Sequence, residues 1–208
     1  MTTSSRPRKA DNRDEGRRKY FDPRFGKTSV RVLPGEHYVT TDPEEMIVTV
    51  LGSCISACIR DPIARVGGMN HFMLPESDTG EWGQAGAAMR YGNYAMEVLI
   101  NDLMRFGARR ERLEIKLFGG GHIGRMVSDV GDRNASFVMR YLKGEGLHAV
   151  AVDLGGDHAR RIHYFPATGK VKRLLLKKTE GSEIRTSEEK YRTTLVKQDT
   201  SGDIELFD

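Results

Sequence analysis

The chain has only two cysteines among its 208 residues, Cys54 and Cys58. They sit four apart, which cannot build the multi-bridge framework of a small secreted domain, and in a reducing compartment they stay free thiols. No stretch approaches the roughly 20 consecutive apolar residues that cross a bilayer, so membrane insertion is not expected. The N-terminus, MTTSSRPRKADNRDEGRRKY, is charged where a secretory leader carries an apolar segment, and a cytoplasmic location follows. A metal site is missing from the pattern too: Cys54, Cys58 and His71 lack finger spacing, no second cluster completes them, and no metal or other cofactor is expected. No internal repeat is visible. Net charge is only +4, and much of the excess is local, with Arg6, Arg8, Lys9, Arg13, Arg17, Arg18 and Lys19 crowded into the first twenty residues. That arm lacks the interleaved aromatics of a specific reader, and a nucleic-acid partner is not expected.

With 38% hydrophobic and 30% charged residues, the chain suits one soluble domain with polar ends. The composition predicts a disordered basic tail over residues 1–28, a single domain over 29–177 and a disordered polar tail over 178–208, whose acidic-apolar end (203–207) has the character of a docking peptide. Within the domain, His37 to Thr40 is a short extended piece and Met46 to Leu51 a strand ended by Gly52-Ser53. Residues 54–60 suit either a short helix or a strand. The nearby Asp61-Pro62 favours a β-hairpin, with a turn over residues 61–64 that pairs Arg60 with Arg65, Cys58 with Gly67, Ser56 with Met69 and Cys54 with His71. Residues 76–86 read as loop. Tyr91, Ala95, Val98, Leu99, Leu103 and Phe106 recur at helical spacing before Gly107. Leu113, Ile115 and Leu117 alternate as a strand does. A second helix, capped by Asp132 or Asn134, presents Phe137, Val138, Tyr141 and Leu142 and ends near Gly144 or Gly146. A strand over 148–153 and a hairpin of 161–165 with 171–176 close the domain.

The chemistry concentrates at Cys54 and His71. A free thiol with a pKa near 8.5 is only about 3% thiolate at pH 7, and a neighbouring imidazole or a turn of free N–H groups raises that fraction. Gly52 and Ser53 form a bend whose N–H groups, with that of Cys54, suit a developing oxyanion. Thr49, Ser53 and Asn70 flank the pair as residues able to orient the imidazole or an amide substrate. A Cys and a His on adjacent strands are also common core residues, and Cys58 reads as structural. Gly119-x-Gly121-x-x-Gly124 formally matches a dinucleotide fingerprint, but no helix opens at these glycines, and a tight loop near the thiol fits better. His122, His158 and His163 read as loop or surface residues.

The order GEHYV, IVTVLGSCISACIRDPIARVGGMNHFMLP, YGNYAMEVLINDLMRFGA, KLFGGGHI, VGDRN and HARRIHYFPATGKV, over roughly residues 32 to 175, resembles the chemoreceptor glutamine deamidase family, CheD. The resemblance implies an α/β structure of the α+β type, with β-sheet layers and packed helices similar to the cytotoxic necrotising factor toxins, and no metal. It implies a hydrolase that converts glutamine side chains of methyl-accepting chemotaxis receptors to glutamate, with receptor methyl-ester hydrolysis as a second activity. Cys54 would be the nucleophile, His71 the general base and Thr49 the third residue, with Ser53 and Asn70 as its alternatives. Gly52, Ser53 and Asn70 would support the oxyanion. The implied partners are receptor cytoplasmic helices and a CheC-type phosphatase, and the competing function is a non-catalytic adaptor that binds either of them.

Overall fold

The computed structural model describes residues 19–75, 82–123 and 129–197. Expectations for residues 1–18, Gly124 and 203–207 lie outside them. In chain order the elements are β1 (Lys19–Asp22), β2 (Lys27–Arg31), β3 (His37–Thr40), β4 (Glu45–Leu51), β5 (Ile55–Asp61), β6 (Val66–Asn70) and α1 (Trp82–Arg105). After a 3-10 turn at Arg110–Arg112 come β7 (Glu114–Gly119), α2 (Val130–Gly144), β8 (Ala149–Leu154), β9 (Arg160–Phe165), β10 (Lys170–Leu175) and α3 (Lys178–Lys197). The strands form two sheets, ordered β1-β2-β4-β9-β10 and β3-β6-β5-β7-β8.

The layers follow from side-chain alternation. Along β5, Ile55, Ala57 and Ile59 pack with Met96, Leu99, Ile100 and Leu103 of α1 and with Phe137 and Val138 of α2. The alternate residues Cys54 and Cys58 face Ile47 and Leu51 of β4 and Ile162 and Tyr164 of β9. The second sheet is thus sandwiched between helices and the first sheet, the α+β layering expected. Burying a Leu, Ile or Phe side chain stabilises by roughly 1.5–3 kcal/mol, so these two interfaces carry most of the fold.

Helices α1 and α2 stop as their glycines predict. Gly107 and Gly146 take left-handed φ values of 91° and 65°, and 6→1 bonds from Ala108 N to Leu103 O (3.1 Å) and from Leu147 N to Leu142 O (2.8 Å) close the last turns. Such a turn satisfies carbonyls that a helix end leaves open. The helix starts differ from expectation. Helix α1 begins at Trp82, inside the predicted loop, and α2 begins at Val130, ahead of both proposed caps. Asn134 is buried within α2, and its amide serves other elements.

The hairpin is present with a different register. Cys58 pairs with Met69, Arg60 with Gly67 and Asp61 with Val66, and an isolated bridge joins Ile55 to Phe72. The turn is longer than a two-residue connection: the Asp61 carboxylate accepts from Ile63 N (2.9 Å) and Ala64 N (3.0 Å), and Arg65 adopts φ 55°. The register moves by two residues. A slip of two, unlike a slip of one, leaves every side chain on its face. Cys54 and His71 therefore stay on one face but become diagonal neighbours.

The ends differ most from the tails expected. Strand β1 and the start of β2 lie inside the predicted basic tail, in a hairpin held by Lys19 Nζ on Glu45 Oε1 (2.9 Å) and by Arg24 on Asp22. Helix α3 lies inside the predicted polar tail. Ile184, Glu188, Tyr191 and Leu195, buried or half-buried, fall on one helical stripe, and four apolar residues in twenty are too sparse to stand out by period. His163 is buried in β9 with its ring 5.0 Å from that of Phe25, so it is not a surface residue.

Asp61 joins hairpin, α1 exit and 3-10 turn, since its Oδ2 also accepts from Arg109 N (2.9 Å) and Arg112 Nε (2.8 Å). Burial alone would raise its pKa, but the N–H groups of Arg109, Ala64 and Ile63 and the Arg112 guanidinium hold it at about 2. Asp61→Asn is expected to cost about 2–4 kcal/mol, read as a lower denaturant midpoint at unchanged m. A depressed carboxyl stabilises above its unfolded value of about 3.9. The difference between wild type and variant should therefore shrink below that pH and vanish as pH falls through about 2.

Candidate active site

Gly52 to Cys54 carries the chain from β4 in one sheet to β5 in the other. Its backbone groups can join neither ladder regularly, and buried peptide groups must still be satisfied. The three carbonyls are met by the surrounding loop and helix: Gly121 N donates to Gly52 O (2.7 Å), Asn134 Nδ2 to Ser53 O (2.8 Å) and Gly120 N to Cys54 O (2.8 Å). Glycine is required opposite this turn, because a Cβ on Gly119 would lie 2.0 Å from Cys54 O. The glycine run is thus the tight loop beside the thiol, as expected.

The three N–H groups all point to one carboxylate, that of Glu188 in α3. Gly52 N (2.9 Å) and Cys54 N (3.3 Å) donate to its Oε1; Ser53 N (3.0 Å) and Ser53 Oγ (2.7 Å) donate to its Oε2. The turn is an anion cradle. Cys54 Sγ, a His71 ring nitrogen and a Glu188 oxygen all lie within 4.8 Å of one another. The same trio has ligand types that suit a metal, but both carboxylate oxygens are taken by donors here, which is the geometry of a held anion.

His71 is fixed at both ends. Its N donates to Glu36 O (2.9 Å) and its O accepts from Gly35 N (2.7 Å). Its Nδ1 lies 2.8 Å from Thr49 Oγ1, and that hydroxyl also lies 2.8 Å from Val32 O. A carbonyl can only accept, so the one Thr49 proton goes to Val32 and Nδ1–H donates to Thr49. The neutral ring then keeps its Nε2 lone pair, and that buried atom has no hydrogen-bond partner. Burial holds the imidazole below its ordinary pKa, against the pull of Glu188. The Cys54 thiol is pushed well up, first by burial and then by the Glu188 carboxylate.

Of the residues singled out in the sequence, the structure brings Thr49, Gly52, Ser53, Cys54 and His71 together. Asn70 is elsewhere. Its Oδ1 accepts from Ala57 N (2.8 Å) and its Nδ2 donates to Ala95 O (2.9 Å), which ties the hairpin to α1 on the helix side of the sheet. Cys58 is buried beside Met69 between the sheets, as a structural residue would be. Two contributors escaped the sequence. Asn134 joins Ser53 O to Leu74 N (3.0 Å) and so holds the thiol turn to the segment after His71. Glu188 lies 134 residues from Cys54; the available signal was an acid flanked by Ile184 and Tyr191 on one helical stripe.

These features define a class, an α+β protein with hydroxyl, imidazole and thiol aligned beside an N–H cradle. The family described as CheD chemotactic sensory transduction matches residues 73–174. A "Probable chemoreceptor glutamine deamidase CheD" of Rhodopseudomonas palustris (strain BisA53) is 50% identical over 203 residues, 98% of this chain and 95% of that protein. Like-named proteins of Herminiimonas arsenicoxydans (49% over 190 residues; 90% and 93% covered) and Bordetella parapertussis (55% over 156 residues; 74% and 73% covered) are similar. The chain belongs to the CheD family. Among solved structures, the hypothetical protein YfiH of Bacillus licheniformis aligns at a TM-score of 0.35 and 11% identity, over 59% of this chain and 50% of that one.

An imidazole NMR spectrum that correlates ring nitrogens with ring protons should show His71 protonated on Nδ1 and neutral as pH falls through about 6.5. Thr49→Val should abolish the tautomer preference and cost about 1–3 kcal/mol, the range for a buried donor left without its partner.

Proposed function

We propose that this chain is a cysteine-dependent amidohydrolase that converts glutamine side chains of methyl-accepting chemotaxis receptors to glutamate. The observation that carries this is the cradle: three backbone N–H groups hold a carboxylate beside the Cys54 thiol and the free Nε2 of His71. A glutamine carboxamide seated there has its oxygen on the cradle and its carbon facing sulfur.

His71 Nε2 takes the thiol proton, and Cys54 Sγ adds to the carboxamide carbon while Gly52, Ser53 and Cys54 N–H groups stabilise the oxyanion. The imidazolium gives its proton to the departing ammonia. Neutral His71 then activates water, which displaces Cys54 and leaves glutamate. Thr49 positions the ring throughout. A cavity of about 360 Å³ lined by Val32, Thr49, His71, Ile184 and Glu188 adjoins the imidazole and gives water a place to enter. The same acyl chemistry accommodates a receptor methyl ester, with methanol leaving in place of ammonia. We place the activity in the cytoplasm, on receptor cytoplasmic helices, with a CheC-type phosphatase as a second partner. None of the described helices is long and apolar enough to cross a membrane.

Incubation with purified receptor cytoplasmic fragments, followed by peptide mass spectrometry, should show glutamine-to-glutamate conversion. Cys54→Ala should slow it on the order of 10³-fold or more, as loss of a nucleophile does. Conversion that survives this substitution would sink the mechanism, and receptor binding without conversion by the wild type would favour an adaptor.

A further inference from the structure

Helix α3 meets the site through several contacts along one stripe. Glu188 fills the cradle. Three residues on, the Tyr191 hydroxyl bonds to that of Tyr91 and packs on Gly35, where a Cβ would meet it at 2.6 Å. Ile184 lines the cavity beside His71, Leu195 is buried, and a Cβ on Gly181 would touch Ile123 at 3.1 Å. The flank carries exposed Glu183, Glu189 and Lys190. Beneath the helix, Cys54 has 0% and His71 2% of its surface exposed. The thiol that the mechanism needs is out of reach of any substrate while α3 is seated.

The occupant is chemically specific. Hydrolysis of a glutamine side chain yields a glutamate side chain, and Glu188 presents that group from a helix, both oxygens on donors and within 4.8 Å of the thiol and imidazole. We propose that α3 is an internal product mimic: it sits in the groove that receives the substrate helix, with Glu188 standing for the glutamate the reaction leaves, and it must lift before a receptor glutamine can enter. This rests on the deamidase function proposed above. It adds the binding surface, a groove bounded by Gly35, Tyr91, Ile123 and the cradle, and a mode of control in which substrate and the chain's own C-terminal helix compete. The elevated thiol pKa fits a resting form in which the nucleophile stays protonated.

Full-length Glu188→Gln turns the mimic into a substrate in cis. Cys54 sulfur adds to the introduced carboxamide carbon, the C–N bond breaks and ammonia leaves with a proton from His71. Water then attacks the thioester, the C–S bond breaks, and carboxylate and thiol result. Peptide mass spectrometry should find position 188 converted to the acid, and kept as the amide when Cys54→Ser is added. Glu188→Ala should raise the rate of Cys54 alkylation by iodoacetamide at least about tenfold over wild type, equivalent to about 1.4 kcal/mol of lost closure. Tyr191→Phe, which keeps the ring and removes one hydrogen bond, should raise it in the same direction and carries the test if Glu188→Ala misfolds. Alkylation as fast in wild type as in these variants overturns the proposal, whatever happens to receptor glutamines. Receptor glutamines converted while the Glu188→Gln amide persists also overturns it. Conversion in cis without conversion of receptor fragments supports the mimic and counts against the receptor as substrate.

Discussion

The structure depends on how one three-residue turn satisfies its peptide groups. Between Leu51 and Ile55 the chain leaves one sheet and enters another. Its carbonyls are met by Gly120, Gly121 and Asn134, and its N–H groups by a single carboxylate. A crossover between sheets is where buried donors escape both ladders, and such donors attract an anion or a developing oxyanion. The catalytic potential of Cys54 thus has the same origin as the two-layer fold.

The remaining elements are arranged to keep that turn rigid and dry. The glycine loop approaches backbone to backbone, Asn134 clamps the turn to Leu74, and Thr49 with Val32 sets the imidazole tautomer. Each clamp comes from a different element, so the turn is over-determined. Helix α3 completes the enclosure with the one group whose chemistry matches the product. An enclosure that uses a carboxylate is also self-limiting, since a negative charge beside a thiol opposes its ionisation.

Much of this was legible in residue order. The β-branched and apolar run of Met46 to Leu51 marked β4, alternation in Leu113 to Leu117 marked β7, the three- and four-residue recurrence after Tyr91 marked α1, and Gly107 marked its end. Thr49, Gly52, Ser53, Cys54 and His71 were legible as a group because they lie within 23 residues. Asn70 was read as flanking the pair, but its place next to His71 along the strand turns its amide to the other face, toward α1. The β1–β2 hairpin and α3 were hidden by charge: Lys19 and Asp22, or Glu188, look solvated until the partner that satisfies them is known.

By itself, then, the sequence determined the strands from β3 onward, the existence of helices α1 and α2, and that Cys54 and His71 share a face of one hairpin. Parity along a strand is local and survives a slip of two residues. The register, by contrast, is set where Asp61 closes a four-residue turn while held from outside the hairpin by Arg109 and Arg112. Tertiary structure alone decided what fills the cradle, because contacts between groups 134 to 136 residues apart leave no period in the chain and arise only when separate layers are packed together.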